Sequence, residues 1–509
     1  MASFFIPLTG LNADSTALNT IANNLANMNT TAFKSQSVNF SDLFYQHLGA
    51  AGSGDPIQRG SGVQVSSIET DFSNGSPNTT GVDTDVALQG NGFFVVNNGA
   101  TSLLTRAGNF SLDSSGNLVT ANGLSVMGFP ATNGVVDTNA PLAPVHIPVG
   151  EVQSPRATTS FGMTATLDSS AAVGSSVLGK VQVYDSLGSS NLANITCTKT
   201  GTNTWSYSIS MPETLQANSS TAAGVTTILY NFGSSGGATA TVNPGTNLTI
   251  TGPNASNVST TITAPAVSAG ESLAQYATDL QSALTAAGIT ATVTATGGQL
   301  SIAGNGITTT GNVIQDQIAS ANTTGALTFD SNGNLVSPSA DIAGITFSGL
   351  SDGAASMNMT WNLFGASGAA MLSQVDQASA VTSTSQNGYA SGNYESFSIG
   401  SDGTVTATFN NGQKLNVAQL ALANVVNLQG LEHMGNGDYA TTLASGTATI
   451  GASGTAGLGT VQGGALEASN VNISEQFAAL IVAQRAFEAN SKAVTTFDTV
   501  TQETINMIH

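Results

Sequence analysis

The sequence predicts a mostly β, multidomain protein whose N- and C-terminal α-helices pair as a coiled coil. Its outer domains are expected to be antiparallel and sandwich-like or barrel-like. Two stretches without Gly or Pro, one at each end of a chain that contains 57 Gly, predict the helices. Between them lie short alternating segments separated by Gly and Asn turns, and these predict the β domains.

The C-terminal helix is predicted to begin near Ser474. The Ser474 hydroxyl can accept a hydrogen bond from the first free N–H groups, and Glu475 places negative charge at the positive end of the helix dipole. Its apolar positions follow a seven-residue step that Thr501 interrupts: Leu480, Phe487, Val494 and Ile508. Because a step of seven keeps one narrow face turned toward a partner, this helix is expected to need a second helix.

The N-terminal stretch offers the matching partner. Residues 11–28 lack Gly and Pro, and their apolar positions also step by seven: Leu11, Leu18 and Leu25, with Ile21 and Met28 on the neighbouring seam position. Isolated helices of this length gain most of their stability by packing, so we expect the two ends to order against each other or against neighbouring copies. A helical hairpin that closes off a monomeric fold is the alternative that periodicity leaves open.

Composition excludes several classes of partner. Nine Lys and Arg against 29 Asp and Glu give a net charge of −20, which argues against nucleic acid and anionic membrane surfaces. No run approaches the roughly 18 apolar residues of a membrane-spanning helix, so membrane insertion is not expected. The N-terminus has no cation before Lys34, and Pro7 breaks its apolar run, so a cleaved signal peptide is not expected.

No group of residues points to catalysis, a cofactor or a metal. Gly174–Lys180 fits the first seven positions of a phosphate-binding loop, but Val181 stands where Ser or Thr should contact Mg²⁺, which favours a turn between strands. Asp113 and Asp330 begin two similar repeats that lack the carboxylates of a calcium loop and are expected to be β-turns. The histidines are far apart in sequence: His47, His146, His433 and His509. The protein is therefore predicted not to be an enzyme.

The interior is interpreted as strands and turns with one helix. Blocks 83–96 and 104–119 are expected to form antiparallel hairpins, and Cys197, in an alternating run, is expected to face a core. Residues 270–284 predict an amphipathic helix, and residues 290–303 predict a hairpin that turns at two glycines. The predicted apolar face of the helix comprises Leu273, Tyr276, Ala277, Leu280 and Leu284.

Several blocks resemble the rod and hook proteins of the bacterial flagellum. Residues 21–34 are similar to the N-I-A-N-x-N-T and x-G-F-K signature, with Leu25 for the usual Ile and Ala32 for the usual Gly. Alanine disfavours a left-handed backbone, which leaves open whether the turn before Phe33 uses one. Blocks 83–96 and 104–119 resemble L-x-G-x-G-F-F and T-R-x-G-x-F, and residues 464–490 resemble the C-terminal block. The blocks occur in family order.

The resemblance implies a structural subunit of the flagellar hook. Such a subunit self-assembles through its terminal helices into a flexible hollow tube that transmits motor torque to the filament. It implies type III export without a cleaved signal, a place outside the cell, and no cofactor. The implied partners are further copies, the distal rod, the hook cap, the hook–filament junction proteins and the export apparatus. The alternatives are a distal rod subunit, which the long outer insertion disfavours, and a monomeric secreted β-rich adhesin, which leaves the terminal signatures without an explanation.

The resemblance and the seams give two sets of candidate residues. The assembly residues on the terminal helix seams are Leu11, Leu18, Ile21, Leu25, Met28, Phe33, Leu480, Phe487, Val494, Phe497 and Ile508. The family-signature residues are Asn23, Asn27, Asn29, Thr30, Lys34, Gly90, Gly92, Phe93, Arg106, Gly108, Asn470, Gln484 and Arg485. Arg106 and Arg485 are expected either to form salt bridges to acids of the same or a neighbouring subunit or to lie solvated.

The predicted domain organisation is nested, because each domain outside the insertion is built from two separate parts of the chain. The predicted domains are a helical polymerisation domain (1–35 with 465–509), a β-rich connector (36–75 with 446–464), a core β-domain (76–145 with 366–445), an outer β-domain (146–215 with 321–365) and an inserted α/β module (216–320).

Overall fold

The computed structural model of the chain describes residues 5–50, 56–99, 101–215, 217–232, 241–243, 245–268, 270–316, 318–319, 323–348 and 350–507. Ile508, His509 and the side chain of His47, named above, lie outside this part. The chain forms two compact units, one of residues 1–151 and 393–509 and one of residues 152–392. They are called unit 1 and unit 2, and each is described by itself. The five-part division predicted above stays a prediction.

Across the described ranges, three α-helices interrupt a series of short strands: α1 (Phe5–Ala26), α2 (Leu273–Ala286) and α3 (Ile473–Asn506). The strands of the first half are β1 (Gln36–Asp42), β2 (Gln46–Ala50), β3 (Pro56–Arg59), β4 (Val63–Thr70), β5 (Pro77–Thr79), β6 (Val86–Gln89), β7 (Phe93–Asn97), β8 (Ser102–Thr105), β9 (Ser111–Leu112), β10 (Leu118–Val119), β11 (Ser125–Thr132), β12 (Val135–Val136), β13 (Ala143–Pro144), β14 (Val152–Gln153), β15 (Ser160–Asp168), β16 (Ser176–Tyr184), β17 (Ser190–Gly201), β18 (Thr204–Ser210), β19 (Pro212–Leu215), β20 (Ala217–Ala222), β21 (Val225–Asn231), β22 (Thr241–Val242), β23 (Thr249–Pro253) and β24 (Ser259–Thr263). Those of the second half are β25 (Ala291–Thr296), β26 (Gln299–Asn305), β27 (Thr308–Thr310), β28 (Val313–Asp316), β29 (Ile318–Ala319), β30 (Thr324–Phe329), β31 (Leu335–Ser337), β32 (Ile342–Ser348), β33 (Met357–Asn362), β34 (Leu372–Val375), β35 (Ala380–Gln386), β36 (Gly392–Ile399), β37 (Thr404–Phe409), β38 (Lys414–Asn424), β39 (Glu432–Gly435), β40 (Asp438–Ala440), β41 (Thr449–Ala452), β42 (Thr460–Gly463) and β43 (Ala465–Glu467). None of the helices in the described part is long and apolar enough to cross a bilayer.

Unit 1 is built on a large sheet in which β36, β37, β38, β11, β7, β8, β40 and β39 are neighbours in that order. Strand β7 is buried on both faces, so its alternating side chains enter two different cores. Phe94 and Val96 pack in one core, and Phe93 and Val95 pack in the other. The β7–β8 and β9–β10 hairpins predicted from blocks 83–96 and 104–119 are confirmed as antiparallel pairs.

Helices α1 and α3 pack against each other, as predicted. The helix α1 residues that are buried are small or polar and are spaced by about one or two helical turns: Gly10, Ala13, Thr20 and Asn24, together with Pro7 in the first turn. In α3 the buried residue is Ala483. The coiled coil is not confirmed, because the Leu and Phe residues of the predicted seams are not among the buried residues of either helix.

The start of α3 differs from the prediction. The helix begins at Ile473, and the capping residue is Asn472, whose side-chain oxygen accepts hydrogen bonds from Ser474 N at 3.1 Å and Glu475 N at 3.4 Å. Ser474 therefore donates to the cap and is not the cap itself. Both residue types cap helices well, so hydrophobic spacing alone could not choose between them.

Unit 2 contains a two-sheet domain around one core. One sheet has the order β29, β32, β33, β15, β34, and the other has the order β16, β17, β18, β30, β31. Trp205, Trp361 and Cys197 are fully buried in the shared core, which confirms the core-facing position of the cysteine. Strand β15 runs parallel to β33 and β34, although antiparallel pairs were predicted, because long connections join these strands and allow parallel pairing.

A second core of unit 2 is formed by residues between 215 and 313. The amphipathic helix predicted there is confirmed as α2, and its five buried residues are the five predicted from periodicity. The predicted hairpin is confirmed as β25–β26, with positive φ angles at Gly297 and Gly298 in the turn. The chain enters and leaves this region through two paired strands, β19 and β28, with Pro212 opposite Asp316. We refer to these two strands as the neck.

Candidate functional site

The candidate site of unit 1 is centred on Glu467, at the end of β43 and just before α3. Its side chain is 2% exposed. Oε1 accepts hydrogen bonds from Lys34 Nζ at 2.7 Å and from Gly75 N at 2.8 Å, and Oε2 accepts one from Arg106 Nε at 3.1 Å. One carboxylate therefore joins three parts of the sequence. We call Lys34, Arg106, Glu467 and Asn470 the Glu467 cluster.

Lys34 brings the segment after α1 into this cluster. Its ammonium group is buried and also donates a hydrogen bond to the Ser73 carbonyl at 2.7 Å. Burial lowers the pKa of Lys34, and the Glu467 carboxylate opposes this shift by stabilising the charged form. A buried ammonium of this kind depends on its acidic partner, since a lone charge in such a site would be strongly unfavourable.

Arg106 ties the core sheet to the same carboxylate. Its Nη1 donates to the carbonyls of Gly90 at 2.9 Å and Gly92 at 2.7 Å, and its Nη2 donates to the Asn74 side chain. The guanidinium also lies 5.9 Å from the ring centroid of Phe93. Gly90 and Gly92 have φ angles of 98° and 122°, which only Gly adopts without strain. The two glycines thus shape a turn whose carbonyls point at Arg106.

Asn470 fixes the approach to α3. Its Oδ1 accepts from Ser35 N at 2.8 Å, its Nδ2 donates to the Asp71 carbonyl at 2.8 Å, and its backbone N–H donates to the Phe33 carbonyl at 3.2 Å. These bonds hold the segment after α1 beside the segment before α3. The cluster therefore connects both terminal helices to the β part of unit 1.

Ala32 adopts the left-handed conformation that the sequence left open. Its φ angle is 53°, its side chain is buried, and its N–H donates to the Glu467 carbonyl at 2.8 Å. A non-glycine residue in this region costs about 1–2 kcal/mol. The hydrogen bond and the neighbouring cluster hold the turn in place despite that cost.

Two polar contacts lock α1 to α3. Asn24 Nδ2 donates to Gln476 Oε1 at 3.1 Å, and Asn490 Nδ2 donates to Asp14 Oδ2 at 2.8 Å. A Cβ atom on Gly10 would lie 2.6 Å from the Asn490 side chain, so a larger residue there would displace that side chain. Amide and carboxylate partners at set positions also fix the register of the two helices.

The apolar seam residues remain partly or largely accessible within one subunit. Leu11, Leu18, Ile21, Leu25 and Phe33 are half-buried in the N-terminal part, as are Leu480, Val494 and Phe497 in α3. Met28 and Phe487 are each 38% exposed. Other large apolar residues of the two helices are more exposed still: Phe5, Ile6, Leu8, Phe477, Ile481, Val482, Val500 and Ile505.

The remaining signature residues lie in three places. Asn27 Nδ2 donates to Asn23 Oδ1 at 3.1 Å, and Thr30 Oγ1 donates to Asn27 Oδ1 at 3.0 Å, so these side chains shape the end of α1. Gly108 lies against a strand, since a Cβ there would be 1.7 Å from the Val86 carbonyl oxygen. Asn29 and Gln484 are exposed, and so is Arg485, which pairs with Glu488 at 2.9 Å.

A cleft with a volume of about 570 Å³ opens next to the cluster. One wall is the end of α1 and the turn after it, and the other includes His433, Asp438 and Tyr439. His433 Nε2 lies 3.2 Å from Thr70 Oγ1, and burial lowers the pKa of His433. Burial raises the pKa of Asp438 and raises that of Tyr439 to about 12. The groups do not form a nucleophile, base and oxyanion arrangement, so the cleft carries no catalytic assignment.

The motifs that resembled ligand sites are structural. Residues 176–180 of the phosphate-loop-like run belong to strand β16. Asp113 Oδ1 accepts from the backbone N–H groups of Ser115 and Asn117, and Asp330 repeats the pattern with Asn332 and Asn334. These are the expected β-turns with Asp at the first position. Within the described residues no three acidic, Cys or His side chains gather as a metal site would need.

Sequence reasoning found most members of the cluster but missed its centre. Lys34, Arg106 and Asn470 were singled out, whereas Glu467 was not, although it lies between them in space. Glu467 is 433 residues from Lys34 and 361 from Arg106. One signal in the sequence could have identified Glu467. It is an acid in a short apolar strand of a chain with only 7% charged residues, and a buried acid needs a cation as its partner.

Family profiles match the chain in four segments. Residues 8–34 match a profile described as flagella basal body rod protein, and residues 87–202 match the flagellar hook protein FlgE/F/G D1 domain. Residues 166–303 and 288–389 match the flagellar basal body protein FlaE D2 domain. Residues 462–507 match the flagellar basal body rod FlgEFG protein C-terminal profile.

Whole-chain relatives agree with these segments. The chain is 30% identical over 541 residues to flagellar hook protein FlgE of Treponema pallidum, covering 100% of this chain and 99% of the relative. It is 28% identical over 520 residues to flagellar hook protein FlgE of Salmonella typhimurium, covering 99% and 100%. A crystal structure of Helicobacter pylori flagellar hook protein FlgE2 matches with a TM-score of 0.38 and 15% identity, over 76% of this chain and 99% of that chain.

Proposed function

The chain belongs to the bacterial flagellar hook protein family, and from this premise we propose that its subunits assemble with one another through helices α1 and α3. As a member of this family it is a structural subunit of the hook and not an enzyme. Its place is the flagellum. The proposal concerns how this chain builds the polymer.

The observation that carries the proposal is the exposed apolar surface of the paired helices. Phe477, Ile481 and Val482 are 53%, 59% and 69% exposed on α3, and Phe5 is 71% exposed on α1. Contiguous exposed apolar surface usually marks an interaction site. Each Leu, Ile or Phe side chain that becomes fully buried contributes roughly 1.5–3 kcal/mol, so a few per subunit suffice to hold a copy in place.

We infer that the small and polar residues serve the contact inside one subunit and the large apolar ones serve contacts between copies. Gly10 and Asn490 bring α1 and α3 together, and this arrangement leaves the predicted seam residues available to neighbours. The assembly role of Leu11, Leu18, Ile21, Leu25, Met28, Phe33, Leu480, Phe487, Val494, Phe497 and Ile508 stays a proposal. The Glu467 cluster then passes force from the helices to the core sheet of unit 1.

The partners beyond other copies are also proposed from the family. They are the distal rod, the hook cap, the hook–filament junction proteins and the flagellar export apparatus. We further propose that the protein reaches the outside of the cell without cleavage of a signal peptide. A distal rod role is less well supported, because the whole-chain relatives described above are named hook proteins.

The test is electron microscopy of purified protein in sulfate, which strengthens apolar association. We expect tubes from the intact chain and none from a variant lacking residues 1–30 and 474–509. A double variant, Phe477→Ser with Ile481→Ser, should also form no tubes while keeping the helix content of the parent. Val173→Ser, at a residue of unit 2 that is 69% exposed, is the matched control and should form tubes normally. Normal tubes from the double variant would contradict assembly through α3.

A further inference from the structure

Two adjoining loops of unit 1 expose aliphatic side chains almost completely. Val426 is 93% exposed and Leu443 is 105% exposed, so neither packs against its own subunit. The loops touch, because Asn427 N donates to the Ser445 carbonyl at 3.2 Å and Asn427 Nδ2 donates to the Ala444 carbonyl at 3.0 Å. Residues 425–430 and 442–446 are called the knob.

The knob is held rigidly. Ser445 is fully buried, and its Oγ accepts from Thr442 N at 2.8 Å. Thr442 Oγ1 donates to the Gly430 carbonyl at 2.6 Å, which fastens one loop to the other. A Cβ on Gly430 would lie 2.4 Å from Ser445 N, so this close packing requires glycine. Because the loop is already ordered, binding of its side chains does not carry the cost of ordering the loop.

Unit 1 also carries an apolar groove, and the knob of the same subunit does not occupy it. Its volume is about 510 Å³, and its lining includes Phe129, Ala140, Pro141, Leu142, Ile450 and Ala452. This volume falls within the range of roughly 300–1,000 Å³ that is typical of pockets for small ligands, which is ample for two aliphatic side chains. Ile450 on its rim is 46% exposed.

Neither the knob nor the groove includes a charged residue. The chain as a whole has a net charge of −20, spread over few charged residues (7%), so two copies repel each other where acidic side chains face one another. An uncharged apolar patch lets two copies meet without bringing acidic side chains together. The knob is a protruding uncharged patch, and the groove is a concave one.

We propose that the knob of one subunit, with Leu443 and Val426 at its tip, seats in the groove of a neighbouring copy in the assembled hook. This inference rests on the proposed assembly through α1 and α3. In a helical polymer the knob of each copy would meet the groove of the next, so we propose a heterologous contact that repeats along the tube. The contact adds an outer point of attachment between copies that the helices already hold together.

The size of the contact selects a second copy as the occupant. Two aliphatic side chains cover roughly 100 Å² each, whereas stable interfaces between independent proteins bury about 1,200–2,000 Å² in total. A soluble partner would therefore not stay bound by the knob alone. Copies already held in a tube present knob and groove to each other at high effective concentration, so a small contact suffices.

Cysteine crosslinking between mixed subunits tests the proposal. The native Cys197 is buried, and burial raises the pKa of its thiol to about 12, so the background reaction is slow. Full-length Leu443→Cys and Ala140→Cys variants would be mixed, polymerised in sulfate and oxidised, and the dimers identified by mass spectrometry of linked peptides. We expect disulfide dimers linking residues 443 and 140 at least tenfold above either variant alone and above the unpolymerised mixture.

The outcomes separate this inference from the assembly proposal. If tubes form but no 443–140 dimer appears, the knob-and-groove contact is wrong while helix-driven assembly stands. A dimer from Leu443→Cys alone would mean that knobs meet each other, which also overturns it. If no tubes form from the parent chain, the proposed assembly itself fails, as electron microscopy of the same sample would show.

A second variant measures the effect on assembly. Val426→Ser with Leu443→Ser should keep the thermal unfolding of the parent, because neither side chain packs within its subunit. Its critical concentration for polymerisation should rise at least about tenfold, because the loss of even one of the two buried aliphatic side chains in each contact has an effect of that size. Val173→Ser serves as the control at an exposed residue outside the knob. An unchanged critical concentration would overturn the proposal.

Discussion

Replacing Glu467 with Gln should loosen the junction between the terminal helices and the core sheet of unit 1. The substitution keeps the shape of the side chain but removes the negative charge that Lys34 and Arg106 share at 2.7 and 3.1 Å. Both cations then remain buried and unpaired. Breaking a buried ion pair in this way costs about 3–5 kcal/mol.

The magnitude can be read by hydrogen exchange, because local opening free energies set exchange rates. At about 1.4 kcal/mol for each factor of ten, a loss of 3–5 kcal/mol speeds exchange roughly a hundredfold to a few thousandfold. The effect should appear in peptides covering residues 30–36, 71–76 and 465–471. Peptides from the unit 2 core around Trp205 should not change, so they provide an internal reference.

Glu488→Gln is the matched control. Glu488 pairs with Arg485 at 2.9 Å, but the two side chains are 67% and 78% exposed, and an exposed pair contributes less than about 1 kcal/mol. Its exchange should change less than about fivefold. The double variant Lys34→Met with Glu467→Gln should cost less than the sum of the two single variants, because it leaves one unpaired cation where Glu467→Gln leaves two. If Glu467→Gln exchanges within fivefold of the parent, the reasoning about the cluster is wrong.

Three further changes test other parts of unit 1. Ala32→Gly should leave the free energy of unfolding in urea nearly unchanged, because relief of about 1–2 kcal/mol of backbone strain is offset by the lost buried methyl group and a more flexible unfolded chain. Ala32→Val should lower that free energy by at least about 2 kcal/mol. Equal effects of the two variants would refute the left-handed turn. Gly108→Ala should destabilise unit 1 by about 2 kcal/mol or more, because the new Cβ would lie 1.7 Å from the Val86 carbonyl oxygen. In the control Gly365→Ala, the nearest atom to the new Cβ is 3.8 Å away, so stability should change by less than about 1 kcal/mol. Burial lowers the pKa of His433 below its ordinary 6.5. Between the folded-state pKa and the unfolded-state pKa, the ring therefore takes up a proton when the protein unfolds. The stabilising contribution of the neutral ring should be complete above pH 6.5 and should decline as the pH falls toward the lowered pKa. A His433→Phe variant should flatten this part of the curve of unfolding free energy against pH, and an unchanged curve would count against that assignment.

Elements that depend on local spacing could be predicted from the sequence. The five buried residues of α2 follow from a helical period, and the turn at Gly297 and Gly298 follows from the conformations that glycine allows. The presence of α1 and α3 followed in the same way from uninterrupted stretches. In each case the residues that decide the structure lie within a few turns of one another.

Contacts between distant parts of the chain could not be predicted. Spacing showed that α1 and α3 need partners, but it favoured Leu and Phe as the contact residues, whereas the buried residues of the two helices include Gly10, Ala13 and Ala483. Small residues carry almost no hydrophobic signal, so a search for apolar periods overlooks them. The pairing of Arg106 with Glu467 was missed for a related reason, since nothing in a single sequence says which of 29 acids a given cation will meet.

The neck of unit 2 has a consequence for protein engineering. Strands β19 and β28 hold the two ends of the region from 215 to 313 in hydrogen-bonding distance, with Leu215 opposite Val313. That region has its own core around α2. A foreign domain whose termini lie close together could replace it at this point with little loop-closure cost. The neck is thus a suitable grafting point for attaching a cargo domain to the hook subunit while both terminal helices keep their native sequence.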